Sequence, residues 1–164
     1  MLRLASYDIV FQEVPGQVSL ALNLSNCPNR CSGCHSPHLR DDVGVPLNEE
    51  SLAELFEKYR DAVTCVCFMG GDAAPREVAS LATFLREKTA GKIKTAWYSG
   101  KQNLPDSRLA GHFDFIKLGP YIKHLGGLNA ETTNQRFYHV ENGALTDHTH
   151  LFQKRKAETA LSAG

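Results

Sequence analysis

The chain has 164 residues, 42% of them apolar and 22% charged, and its 18 basic residues balance its 18 acidic ones. A balanced charge gives no long-range pull toward nucleic acid or an anionic membrane surface, so neither partner is expected. The length suits one core but not the roughly 250 residues of a complete eight-stranded α/β barrel, and with no leader pattern and no apolar run of about 18 residues a cytoplasmic protein is expected.

In chain order, the alternation in Val18-Ser19-Leu20-Ala21-Leu22-Asn23-Leu24 predicts a strand that runs through Ser25 and Asn26 into a loop. That loop carries Cys27, Cys31 and Cys34 in the order Cys-x3-Cys-x2-Cys, among the turn-favouring residues Pro28, Asn29, Ser32, Gly33 and Pro37. Asn48 is placed to cap a helix, with Glu49 and Glu50 in its first turn and Leu52, Leu55, Phe56 and Tyr59 along one stripe. Residues 63–68 predict a second strand that delivers the chain to Gly70-Gly71-Asp72, and Pro75 opens a second helix striped by Val78, Leu81, Ala82 and Leu85. Strands over residues 93–98 and 113–118 end in Ser99-Gly100 and Gly119-Pro120, and residues 132–140 add a last one. Residues 1–152 are expected to form one domain and residues 153–164 a flexible tail, with Lys154-Arg155-Lys156 solvated.

Strands alternating with helices predict a mostly parallel sheet. In such a sheet the cysteine loop, Gly70-Gly71-Asp72, Ser99-Gly100 and Gly119-Pro120 share the edge formed by the carboxyl ends of the strands, where ligands bind in this class of fold. Trp97, Tyr98 and Phe115 are expected in the core.

The cysteine triad carries the chemistry. Three thiolates on a four-iron cluster leave one iron open for reaction, and the spacing departs both from the Cys-x2-Cys-x2-Cys-x3-Cys-Pro of a bacterial ferredoxin and from the paired Cys-x2-Cys of a zinc ribbon. The alternative that remains is a structural zinc held by the three cysteines with His35 or His38. Five cysteines, an odd number, fit metal binding in a reducing compartment better than a disulfide framework. Cys65 and Cys67 alternate on one strand face and are expected as small buried hydrophobes, the alternative being that one of them is a fourth cluster ligand.

The Cys-x3-Cys-x2-Cys loop after the first predicted strand resembles the radical S-adenosylmethionine (SAM) superfamily. The resemblance implies a partial, open (β/α) barrel and a 4Fe-4S cluster on Cys27, Cys31 and Cys34. It further implies that the open iron is chelated by the amino and carboxylate groups of SAM, and that one-electron reduction cleaves the sulfonium to a 5′-deoxyadenosyl radical. Gly70-Gly71-Asp72 resembles the Gly-Gly-Glu type motif that holds the SAM amino group, with aspartate one methylene shorter. Gly33 stands where an aromatic residue is usual, and His35 just beyond the last cysteine could supply a ring instead. Ser99 is a candidate for a ribose hydroxyl or a plain turn-closing residue, and Lys117 for the SAM carboxylate or a solvated strand end.

Cys27-Pro28-Asn29-Arg30-Cys31-Ser32-Gly33-Cys34-His35, Phe68-Met69-Gly70-Gly71-Asp72, Trp97-Tyr98-Ser99-Gly100 and Thr132-Thr133-Asn134-Gln135-Arg136 occur in that order. Together they resemble the family of activating proteins of anaerobic (class III) ribonucleoside-triphosphate reductases. That resemblance implies a protein partner, the large subunit of the reductase, from which a glycine Cα hydrogen is abstracted. It also implies a low-potential electron donor such as a flavodoxin. Asn134 and Gln135 are expected to shape the site locally.

Overall fold

The computed structural model describes residues 2–25 and 43–153; Cys27, Cys31, Cys34, His35, His38 and the tail beyond residue 153 lie outside the described residues. The elements run β1 (Arg3–Val10), β2 (Ser19–Leu24), β3 (Val45–Pro46), α1 (Glu49–Tyr59), β4 (Cys65–Met69), α2 (Pro75–Lys88), β5 (Lys94–Tyr98), a 3₁₀ helix (Ser107–His112), β6 (Phe115–Leu118), β7 (Arg136–Glu141) and β8 (Ala144–Asp147). All eight strands belong to one sheet in the order β3-β1-β2-β4-β5-β6-β7-β8. Among the described residues no helix is long and apolar enough to cross a membrane.

Both helices begin as the sequence dictates. The Asn48 side chain accepts from the Ser51 N–H at 2.9 Å while the Ser51 hydroxyl accepts from the Asn48 N–H at 2.9 Å, a reciprocal cap that satisfies two end donors of α1. Such a cap stabilises a helix by about 1 kcal/mol. Pro75 occupies the first turn of α2, where a missing N–H costs nothing.

The four strands β2, β4, β5 and β6 are parallel, as the strand–helix alternation predicts. The sheet as a whole corrects the expectation of a mostly parallel one, because the pairings β1–β2, β1–β3, β6–β7 and β7–β8 are antiparallel and outnumber the three parallel ones. Two of the antiparallel pairs, β1–β2 and β7–β8, are joined by short returns of the chain, whereas a parallel neighbour needs a crossover. β7 turns into β8 through Asn142 and Gly143, both at positive φ (51° and 78°), the two-residue turn whose twist matches the flanking strands.

α1, α2 and the 3₁₀ helix pack on one face of the sheet. There Leu20, Leu22, Val66, Phe68, Trp97 and Ile116 meet the apolar stripes of α1 and α2, and Trp97 stacks on Phe113 at 5.5 Å between ring centroids. The other face carries a smaller cluster of Val14, Cys65, Cys67, Ala96, Tyr98 and Phe137, with Phe115, Leu128 and Phe152 packed against it. Cys65 and Cys67 are wholly buried there, as expected for core thiols.

Burial, the largest cause, pushes the Cys65 thiol from 9.0 up to about 12, and it pushes Cys67 up as well. A buried thiol that keeps its proton while the unfolded chain loses it stabilises the fold only below the unfolded value. Stability therefore falls as pH rises from about 9 toward about 12. Chemical denaturation across this window is expected to show a shallower alkaline decline for Cys65→Ala than for the parent, together with a loss of about 1–2 kcal/mol at neutral pH from the vacated volume.

Candidate functional site

The parallel register brings the ends of β2, β4, β5 and β6 to one edge. At the end of β2, Ser25 is buried, and its hydroxyl donates to the Val43 carbonyl at 2.6 Å and accepts from the Val43 N–H at 3.2 Å. Residues 26–42, with the three cysteines, thus leave and rejoin the described chain at a single closed point on this edge. Cys27, Cys31, Cys34 and His35 themselves lie outside the described residues.

Beside that point stands the turn after β4. Gly70 and Gly71 adopt φ of 104° and 81°, a region that costs an L side chain about 1–2 kcal/mol. They also leave no room for one. A Cβ on Gly70 would lie 3.2 Å from the Leu24 carbonyl oxygen, and one on Gly71 2.5 Å from Val78 Cγ2. The glycines let the turn press against the last residue of β2, next to the exit of the cysteine loop.

Hydrogen bonds then tie this turn to the end of β5. The Gly70 N–H donates to the Tyr98 carbonyl at 3.0 Å, and the Trp97 indole N–H donates to the Gly70 carbonyl at 2.7 Å. Asp72 accepts from the Ser99 hydroxyl at 2.5 Å on one carboxylate oxygen and from the Gly100 N–H at 2.9 Å on the other. The fully buried Ser99 hydroxyl also accepts from the Lys101 N–H at 3.1 Å, which is the turn-closing arrangement.

β6 and the segment before β7 complete the edge. Lys117 reaches the Ser99 and Gly119 carbonyls at 3.4 and 3.3 Å and lies 5.8 Å from the centroid of the Tyr98 ring, a cation held over an aromatic face. The Tyr98 hydroxyl donates to the Glu13 carbonyl, and burial pushes its pKa well above the ordinary tyrosine value. Asn134 donates to the Pro120 carbonyl at 3.0 Å and to Gln102 Oε1 at 3.1 Å, and Gln135 donates to the Gly119 carbonyl at 3.3 Å. These bonds tie Asn134 and Gln135 to the segments that follow β5 and β6. A cavity of about 370 Å³ opens on the helix side of the edge between Asp72, Trp97, Gln102 and Pro105. A second cavity, about 690 Å³, lies elsewhere, between α2 and the 3₁₀ helix around Arg76, Thr83 and His112.

The structure therefore gathers Gly70, Gly71, Asp72, Ser99 and Lys117 at one edge, beside Leu24 at the end of β2. Sequence reading did not find the Asp72–Ser99 and Trp97–Gly70 bonds. Their signal, an acidic residue after Gly-Gly in one loop and Ser-Gly in the next, has meaning only once β4 and β5 are known to be neighbours.

Residues 14–123 match the family described as 4Fe-4S single cluster domain, more than half of the chain and a span that includes all three loop cysteines. The class so defined is an iron–sulfur protein. The chain belongs to the 4Fe-4S single cluster domain family. No curated protein matches the chain, and no solved structure does. The donor set fits the cluster, since thiolates are its usual ligands and three stand close together in sequence at Cys27, Cys31 and Cys34. Among the described residues no group of three His, Cys, Asp or Glu side chains is arranged to hold a metal ion.

The glycine turn gives a stability test. Gly71→Ala is expected to cost about 2–4 kcal/mol, combining the left-handed backbone with the clash against Val78 on α2. Gly16→Ala, at φ 79° with no atom within 4 Å of the added Cβ, is expected to cost only the backbone part, about 1–2 kcal/mol. Paired denaturant melts of the two variants check both values.

Proposed function

We propose that the protein is a radical SAM enzyme that activates a glycyl-radical partner, the large subunit of anaerobic ribonucleoside-triphosphate reductase. The observation that carries this reading is the Cys27, Cys31, Cys34 triad within the matched iron–sulfur span, because three thiolates leave one iron of a four-iron cluster without a protein ligand. The cluster, when bound, supplies one electron to the sulfonium of SAM, whose cleavage gives methionine and a 5′-deoxyadenosyl radical. That radical would take a hydrogen atom from the partner's glycine Cα, giving 5′-deoxyadenosine and a glycyl radical.

Under this reading the residues of the chain bind and orient. The Gly70 and Gly71 carbonyls, each keeping a lone pair beside the bond it accepts from Trp97 or Ala74, meet the SAM amino group, and the Lys117 ammonium meets its carboxylate. His35 offers a ring beside the last cysteine. Tyr98, Met69 and the apolar side chains below them exclude water from a carbon radical that would otherwise react with its surroundings. The four parallel strands form the working part of an open (β/α) barrel, carried by one domain over residues 1–152, and the open side admits the partner's glycine loop. A flavodoxin-like donor in the cytoplasm supplies the electron.

Anaerobic reconstitution is expected to give about four irons and four sulfides per chain. Reduced protein with SAM should release equimolar methionine and 5′-deoxyadenosine, and Cys27→Ala, Cys31→Ala or Cys34→Ala should each abolish this. Addition of the reductase should produce a glycyl doublet by electron paramagnetic resonance. A reconstituted cluster that cannot cleave SAM would sink the proposal, and cleavage without a radical on the reductase would move the substrate to another molecule.

A further inference from the structure

We infer that Asp72 is a positioning residue, which holds the glycine turn against the end of β5 through Ser99 and Gly100 rather than meeting the ligand itself. The inference rests on the SAM reading above for the identity of the ligand, and on geometry for the rest. Each carboxylate oxygen of Asp72 accepts a hydrogen bond from the neighbouring turn, one from the Ser99 hydroxyl at 2.5 Å and one from the Gly100 N–H at 2.9 Å. The Ser99 hydroxyl is buried and passes the tie on by accepting from the Lys101 N–H. Hydrogen bonds to a carboxylate are stronger than bonds between neutral groups, which makes this a firm tie between the two turns.

The length of the side chain matters. A glutamate would carry its carboxylate further by about one carbon–carbon bond, roughly 1.5 Å, past two donors that already sit at normal hydrogen-bond distance. Aspartate is therefore the residue that fits this pair of turns. The Gly70-Gly71 backbone follows Asp72, because the Trp97 and Tyr98 bonds fix Gly70 to the same strand end. Whatever binds against the glycine backbone senses Ser99 and Gly100 through Asp72.

The test uses reconstituted protein of equal iron content and the variants Asp72→Asn, Asp72→Glu, Ser99→Ala and the Asp72→Asn/Ser99→Ala double. Amide hydrogen exchange without SAM is expected to be at least about tenfold faster at Gly100 in Asp72→Asn, since a neutral amide leaves one acceptor oxygen, weaker than a carboxylate's, for the Ser99 and Gly100 donors. SAM affinity by equilibrium dialysis should fall on the order of tenfold in each single variant and no further in the double, because the two residues act as one unit. Asp72→Glu should not restore it. Losses that multiply in the double variant, to about a hundredfold, would mean that Asp72 touches the ligand directly and would overturn the inference. An unchanged Gly100 exchange rate, or unchanged SAM affinity in Ser99→Ala, would overturn it too; the latter measurement stands even if Asp72→Asn does not fold. Failure of the parent protein to bind SAM would refute the functional reading instead, and the Gly100 exchange rate would still decide whether Asp72 braces the turn.

Discussion

Backbone groups just past the ends of parallel strands have left the ladder and still need partners, and at the edge of this sheet they find them in one another. The Gly70 N–H and carbonyl are both taken up by β5, the Ser99 N–H goes to the Lys117 carbonyl at 2.9 Å, and the Gly119 N–H goes to the Lys101 carbonyl at 2.7 Å. Three successive turns are thereby laced together across β4, β5 and β6. A site made of loops acquires the rigidity of the sheet that bears it. Flexible turns at this edge would leave the same residues present but out of register.

The two faces divide the remaining tasks. The helical face buries the larger core and fixes the sheet, and Trp97 and Phe68 anchor it. The opposite face has fewer apolar residues, and its cover comes from chain that returns over it: Val14 from the β1–β2 connection and Phe152 from beyond β8. Lys117 rises from this thinner face, near the Tyr98 ring. A charged group is tolerated there because two carbonyls and an aromatic ring surround its ammonium.

The central strands, both helices and their caps were legible because each carries its own periodicity and end signals: Asn48 before an apolar stripe, Pro75 at a first turn, apolar runs that stop at glycine. β1 was not. Its exposed middle, Ser6 to Asp8, blurs the alternation, since a strand with one covered neighbour and a two-residue edge strand needs little apolar surface. β8 is exposed throughout and so has no alternation to read, although Asn142-Gly143 between two short runs is a hairpin signal that would have found it. For the site, Gly70-Gly71-Asp72, Ser99 and Lys117 could be placed at one edge from strand order alone. Their mutual bonds could not, because contacts between residues almost thirty positions apart, such as Asp72 with Ser99 and Gly100, depend on register and rotamer.

Trp97 is the only tryptophan of the chain. Its indole is shielded from solvent, its one polar atom is engaged by the Gly70 carbonyl, and its ring borders the cavity beside Asp72. The molecule thus contains a native fluorophore whose colour and yield depend on the carbonyl at the heart of the glycine turn. Any rearrangement of that turn becomes an optical event, visible without a label.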